Sequence, residues 1–266
     1  MWRFSFIIQR VLKYMNERDE MVGREFDNWV VTGRDVSMEQ GHCEATMKLF
    51  SMIDSLITNT EQQDLSSHIS VQSSFDQKVL LDIGCGNGWA LRKFIDIGGH
   101  QGYGCDLSSK MIEKAQQFQN YNIAYYMGDI AIFYENLQQK QMKKPNICIC
   151  IESLYYHENP KTSVSSMYEI LEKDGCIGIM VDLYEESWGT HAWIDALHVD
   201  VHLLSIEAYK KLLRDVGFVN VKHLQFQMTS PITTKDNFVC NSYWPTYEHY
   251  KLYRQKGSLL VIGQKI

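Results

Sequence analysis

Val79-Leu80-Leu81-Asp82-Ile83-Gly84-Cys85-Gly86-Asn87-Gly88 decides the fold of this 266-residue chain. Val79 to Ile83 is a short apolar run of strand length, and Trp89 to Ile97 follows at helical period. Between them, glycines at 84, 86 and 88 allow positive φ and close approach of backbone to a ligand. The unit reads strand, tight turn, helix.

The same alternation continues downstream. Gln101 to Cys105, Asn122 to Met127, Asn146 to Ile151 and Cys176 to Val181 read as strands. Ser108 caps a helix carrying Met111, Ile112 and Ala115, and Val164, Met167, Tyr168 and Leu171 mark another. Ser205 opens a further helix (Tyr209, Leu212, Leu213, Val216) that Gly217 ends, and Val219 to Phe226 and Ser258 to Ile262 supply the last two strands. Alternating βα units predict an α/β fold: a doubly wound, mainly parallel, seven-stranded sheet with helices on both faces.

Upstream the chain reads as helical, with Ser37-Met38-Glu39-Gln40 as a capping box at a helix start and Ala45, Leu49, Met52, Ile53 and Leu56 following. Asn59 to Lys78 is polar and reads as a linker. The expected division is therefore 1–78, a helical extension with its linker, and 79–266, the core, with insertions at about 182–204 and 228–256. Residues 1–15 read as a terminal helix, lacking the apolar core and cleavage site of a secretory signal.

Charge bounds the function. Lys and Arg number 26 against 32 Asp and Glu, a net of −6, which disfavours bulk capture of nucleic acid or anionic membrane. No apolar run approaches the ~20 residues of a membrane span. Seven cysteines are an odd number, no CxxC pair exists, and Cys85, Cys105, Cys148, Cys150 and Cys176 lie in or beside apolar strand runs. Reduced core thiols in a cytoplasmic protein are the expectation.

Ligands of such sheets bind at the carboxyl ends of the strands, near the reversal of strand order. Asp82 sits there, Asp106 ends the next strand 24 residues on, and Gly128-Asp129-Ile130 ends the third. Asp106 is placed to accept both hydroxyls of a ribose, and Asp129 to accept from an exocyclic amine. Singly, each reads more often as a helix cap or solvated loop acid; together and in order, they describe an adenosine pocket. Trp89 stands where a dinucleotide fingerprint has its third glycine, which disfavours a pyrophosphate and a nicotinamide enzyme.

These residues resemble the motifs of the class I S-adenosylmethionine-dependent methyltransferases, a superfamily with a seven-stranded Rossmann-like sheet. Val79 to Gly88 is similar to its first motif, Tyr103-Gly104-Cys105-Asp106-Leu107-Ser108 to its second, and Gly128-Asp129 to its third. Leu171-Glu172-Lys173-Asp174-Gly175 resembles its L-x-P-G-G turn without the proline and one glycine. The resemblance implies S-adenosylmethionine as cofactor, with Gly84, Cys85 and Gly86 against its methionine part and Asp82 orienting the loop and the ammonium. It implies Asp106 on the ribose, Leu107 flanking the adenine, and Asp129 with Ile130 at the adenine edge. Trp29 to Arg34 and Met38 to His42 also resemble a segment preceding this core in some bacterial and archaeal members.

The end of the fourth strand, Glu152-Ser153-Leu154-Tyr155-Tyr156-His157, would face methyl transfer. It lacks the (N/D)-P-P-(Y/F) motif of nucleic-acid amino methyltransferases. His157 is the candidate base for a hydroxyl or carbon acid, with Glu152 and Tyr156 beside it; the alternative is a cap or cofactor contact. His191, His198 and His202 suggest a metal only weakly, since Val199 and Val201 favour extended backbone, and no metal is expected. Tyr184, Trp188, Trp193, Tyr243, Trp244, Tyr247 and Tyr250 are expected as an aromatic lid, or as a patch packed on the sheet. The reading is methyl transfer to N, O or C of a small molecule. A protein or RNA acceptor docked on the helices before Asn59, and a non-catalytic S-adenosylmethionine-binding protein, stand as alternatives; the sequence leaves oligomeric state open.

Overall fold

A computed structural model describes residues 16–59, 74–118 and 122–266. The expected terminal helix at 1–15 and most of the polar linker lie outside the described residues. Two helices come first, α1 (Glu17–Thr32) and α2 (Arg34–Thr58). The core then runs β1 (Val79–Ile83), α3 (Trp89–Asp96), β2 (Gln101–Asp106), α4 (Ser109–Ala115), β3 (Ile123–Met127), α5 (Ile130–Gln139), β4 (Ile147–Ile151), α6 (Pro160–Ile170) and β5 (Cys176–Val181). It closes with α7 (Trp193–Ala196), α8 (Ile206–Val216), β6 (Val219–Phe226), α9 (Tyr247–Lys256) and β7 (Ser258–Gln264).

The strands form one sheet in the order β3-β2-β1-β4-β5-β7-β6. β1 to β5 are parallel, and β7 runs antiparallel between β5 and β6. The sheet is thus mainly parallel and seven-stranded, as expected. Strand order reverses at β1, which pairs with β2 on one side and β4 on the other. That reversal opens a crevice at the carboxyl ends.

Alternate residues of each strand feed two cores. On one face Leu81, Tyr103, Cys150 and Ile179 pack with Phe133 of α5 and Val164 of α6. On the other, Leu80, Ile149, Met180 and Leu260 pack with Phe94 of α3 and with Leu49, Phe50 and Ile53 of α2. Gly178 of β5 lets α2 lie close: a Cβ there would stand 2.9 Å from Ile53 Cδ1. All seven cysteines are unpaired, five of them buried.

One boundary differs from expectation. Gly33 ends α1 in the left-handed conformation (φ 72°), and α2 begins at once with Arg34. Ser37 and Gln40 therefore lie inside α2, where the donors of a capping box are already used by the helix. Among the described residues no helix is long and apolar enough to cross a membrane.

Candidate functional site

The loop after β1 is shaped by its glycines. Gly84 and Cys85 both donate their N–H to the Cys105 carbonyl (2.9 and 3.1 Å), binding the first turn to β2. Gly84 has φ 73°, and a Cβ on it would meet Ser153 Cβ at 2.4 Å. Gly88 has φ 77° and leaves room for the Tyr125 ring. Neither position accepts a side chain without strain.

Asp106 ties two loops together. Its Oδ1 accepts from Ser108 N–H and its Oδ2 from Gly86 N–H, both at 2.8 Å. Burial lifts its carboxyl to about 6 against those two donors. Asp82, 2 % exposed, is lifted to about 8 by burial and then by Asp106, and its Oδ1 has no hydrogen-bond partner. Asp129 accepts from Ile132 N–H at 3.0 Å, capping α5 while bordering the same space. Burial raises the Cys85 thiol, so it stays protonated.

These loops floor a cavity of about 330 Å³. Its roof is α1 and α2, through Val22, Phe26, Trp29, Asp35, Met38 and His42. α1 rests on the loop after β2: a Cβ on Gly23 would lie 2.8 Å from the Leu107 carbonyl oxygen. Ser108 Oγ and Lys110 N–H donate to Asp27 Oδ1 at 2.6 and 3.0 Å. Asp35 of α2 accepts from Asn87 Nδ2 (2.9 Å) and pairs with Lys114 (2.6 Å). The Arg34 guanidinium lies between the rings of Trp29 and Tyr243 and donates to the Tyr243 hydroxyl.

The end of β4 supplies the remaining wall. Glu152 has φ 52°, unusual for a residue with a side chain, and is held by the Tyr155 hydroxyl (2.8 Å) and Asp182 N–H. His157 Nδ1 pairs with Ser163 Oγ at 2.8 Å, and burial, with Arg18 and His202, lowers its ring to about 4. His42 donates from Nδ1 to the Met38 carbonyl (2.8 Å) and meets Asp182 Oδ2 through Nε2 (3.1 Å). The Tyr253 hydroxyl donates to the same Asp182 oxygen at 2.7 Å. Burial works against the charge on His42, but Asp182 overrides it and holds the ring above its ordinary range; burial and Asp182 together hold Glu152 above its own. One donor atom each from His42, Glu152 and Asp182 lies within 4.8 Å of the others, a set able to hold a divalent cation.

Asp82, Gly84, Cys85, Gly86, Asp106, Leu107, Asp129 and Ile130 all border this one cavity, as do Glu152, Tyr156 and His157. The expected aromatic lid does not: Tyr184, Trp188, Trp193, Tyr243, Trp244, Tyr247 and Tyr250 are not among its lining residues. Trp193 packs instead on Tyr243, Trp244 and Tyr253, and Trp244 and Tyr247 on Tyr250, so these rings satisfy one another. His198 and His202 share no helix; His202 N–H donates to the Tyr155 carbonyl. His42 and Asp182 carry no sequence signal, being an ordinary helical histidine and a strand-end acid 140 residues apart.

An S-adenosylmethionine fits this donor set. Asp106 keeps lone pairs for a ribose diol beyond its two backbone bonds, and the unpartnered Asp82 Oδ1 suits an ammonium.

A family profile described as a methyltransferase domain matches residues 58–223. Among curated proteins, the tRNA U34 carboxymethyltransferase of Helicobacter pylori is 25% identical over 166 residues, covering 58% of this chain and 61% of its own length. The chain spans about half the length of the curated relatives it matches. Among solved structures, a chain from the Haloferax volcanii complex of the Trm112 methyltransferase activator with a methyltransferase superposes with TM-score 0.68 at 24% identity, over 90% of this chain and 96% of that one. Magnesium protoporphyrin IX methyltransferase of Synechocystis, with bound S-adenosylhomocysteine, gives 0.55 at 16% identity, over 94% and 98%.

Proposed function

Since the chain belongs to the class I S-adenosylmethionine-dependent methyltransferases, we propose that it transfers the methyl group of that cofactor to a nitrogen, oxygen or carbon nucleophile of a small molecule. The observation that carries this reading is the convergence of Asp82, Asp106 and Asp129, from three strand ends, on one roofed cavity.

Bound there, the cofactor supplies a methyl group already activated on a sulfonium. Asp106 would hold the ribose hydroxyls and Asp82 the ammonium, while Leu107 would flank the adenine and Asp129 with Ile130 would meet its edge. α1 and α2 exclude water and hold the acceptor in line, the source of most of the rate when little covalent work remains. His157 is neutral at pH 7, the form that takes a proton from a hydroxyl acceptor. Glu152 and Tyr156 position that acceptor from the same wall.

A small acceptor is favoured over nucleic acid because no Lys or Arg is found among the described residues lining the cavity. A tRNA, the substrate named for the Helicobacter relative, would need a cationic track toward that mouth. Calorimetry tests the reading: S-adenosylhomocysteine binds in the micromolar range, and Asp106→Ala weakens it about tenfold or more. Absence of binding to the wild type rules it out. Methyl-labelled cofactor with fractionated cell extract then names the acceptor; label entering RNA or protein in place of small molecules overturns that part.

A further inference from the structure

Three donors from three separate elements meet under the roof: His42 of α2, Glu152 after β4 and Asp182 after β5. They are 7, 6 and 0 % exposed, and His42 and Glu152 border the cavity. We propose that this trio binds a divalent transition-metal cation that accepts nitrogen and oxygen ligands, such as Mn²⁺ or Zn²⁺, beside the position of the methyl acceptor.

Each ligand is already oriented from behind. The His42 Nδ1–H is spent on the Met38 carbonyl, which leaves Nε2, once it gives up the proton it shares with Asp182, as the ligating atom. The Tyr253 hydroxyl holds Asp182 Oδ2, while the Tyr155 hydroxyl and Asp182 N–H hold the two oxygens of Glu152. Backing of this kind, from hydroxyls and backbone onto ligating groups, is what metal sites use to fix their ligands. Asp182 Oδ1 is itself buried without a hydrogen bond of ordinary geometry, on a carboxylate that the Ser258 hydroxyl also approaches. Glu152, moreover, holds a left-handed backbone (φ 52°) while its carboxylate lies with the other two donors.

Charge and spacing agree. With a cation bound, two ionised carboxylates and a neutral imidazole present −2, which one divalent ion balances, and the protons that His42 and Glu152 hold without it are released. Ligands at right angles around an ion with bonds of about 2.1 Å stand about 3 Å apart, and His42 Nε2 and Asp182 Oδ2 are 3.1 Å apart. Ligands opposite one another in octahedral geometry stand about 4.2 Å apart, and the three donors lie within 4.8 Å. A cation here keeps a coordination position toward the cavity, suited to a hydroxyl or carboxylate oxygen of the acceptor. The site draws on residues other than the proposed cofactor contacts, so it stands or falls separately from cofactor binding.

The test uses the full chain, stripped of metal by a chelator and titrated with MnCl₂ by calorimetry without cofactor. One equivalent is expected to bind in the micromolar range, about tenfold or more weaker in Glu152→Gln and Asp182→Asn. No binding to the wild type up to about 1 mM overturns the proposal, as does binding that neither substitution weakens. Because Asp182→Asn disturbs a buried pair, the wild type is also read alone by NMR. Mn²⁺ is expected to broaden the imidazole signals of His42 and spare those of the exposed His198. Broadening at His198 with His42 untouched overturns the assignment. S-adenosylhomocysteine binding, measured on the same sample, separates failure here from failure of the methyl-transfer reading.

Discussion

In the loops after β1, β2 and β3, the cavity's polar groups are placed by backbone of the same or the adjacent βα unit: Asp106 by Ser108 and by Gly86 twenty residues before it, Asp129 by Ile132. The roof is placed by side chains far apart in the chain. His42 meets Asp182, and Arg34 lies between Trp29 and Tyr243. The floor thus draws on neighbouring βα units, whereas the roof draws on contacts between the first two helices and segments up to 209 residues on. The difference predicts unequal responses to damage. Backbone bonds tolerate the loss of one contributor, but a buried charge pair does not.

Removing the pin between roof and sheet has the largest expected effect. His42→Ala leaves Asp182 charged, at zero exposure, with only Tyr253 on its paired oxygen. A loss of about 3–5 kcal/mol in urea unfolding is expected, the range for breaking a buried pair from one side. A loss below about 1 kcal/mol would show that the roof is held chiefly by its apolar packing and that the contrast with the floor is false. On the floor, Gly84→Ala combines a positive φ with a Cβ 2.4 Å from Ser153. About 2 kcal/mol is expected there, with weaker S-adenosylhomocysteine binding on the same samples. Equal destabilisation by the two substitutions would erase the distinction.

The two halves also differ in how far the amino-acid sequence reveals them. Gly84, Gly86, Asp106 and Asp129 are legible because a strand end, a turn and a helix start recur at fixed spacing, and each position faces the crevice for topological reasons. His42 has no such marker: its meeting with Asp182 depends on how α2 crosses β5. Ser37-Met38-Glu39-Gln40 has the composition of a helix start, but Gly33 already supplies the break four residues earlier. The aromatic richness of 182–204 and 228–256 is equally ambiguous. Composition says that rings cluster, not whether they face a ligand, and here Trp193, Trp244 and Tyr253 face each other.

A smaller effect, confined to the floor, comes from pH. Asp82 and Asp106 act ionised in the proposed cofactor site, yet burial lifts them to about 8 and about 6 in the free protein. Binding must then expel their protons. S-adenosylhomocysteine affinity should be flat above pH 8, fall toward about tenfold per unit below it, and steepen below 6 as Asp106 joins. Asp82→Asn should remove the upper limb and Asp106→Asn the lower, read by calorimetry from pH 5 to 9. A flat profile across that range would mean that neither carboxylate changes protonation on binding, and the floor's role in holding the cofactor would have to pass to backbone alone.

The smallest effect separates the roof that the structure has from the lid that aromatic composition suggests. Trp188 is 70 % exposed, is stacked on His191 with ring centroids 5.5 Å apart, and is not among the cavity's lining residues. If α1 and α2 alone enclose the acceptor, Trp188→Ala removes only surface area. S-adenosylhomocysteine affinity and KM for an identified acceptor should stay within about twofold of wild type, with stability changed by less than about 0.5 kcal/mol. Phe26→Ala takes a ring from the roof itself, where it meets Trp29 and Tyr156 edge-on or tilted, and should raise the same KM while the Trp188 variant does not. A KM raised by Trp188→Ala and untouched by Phe26→Ala would reverse the assignment, because an exposed ring can affect acceptor binding only by folding over the cavity when the acceptor arrives.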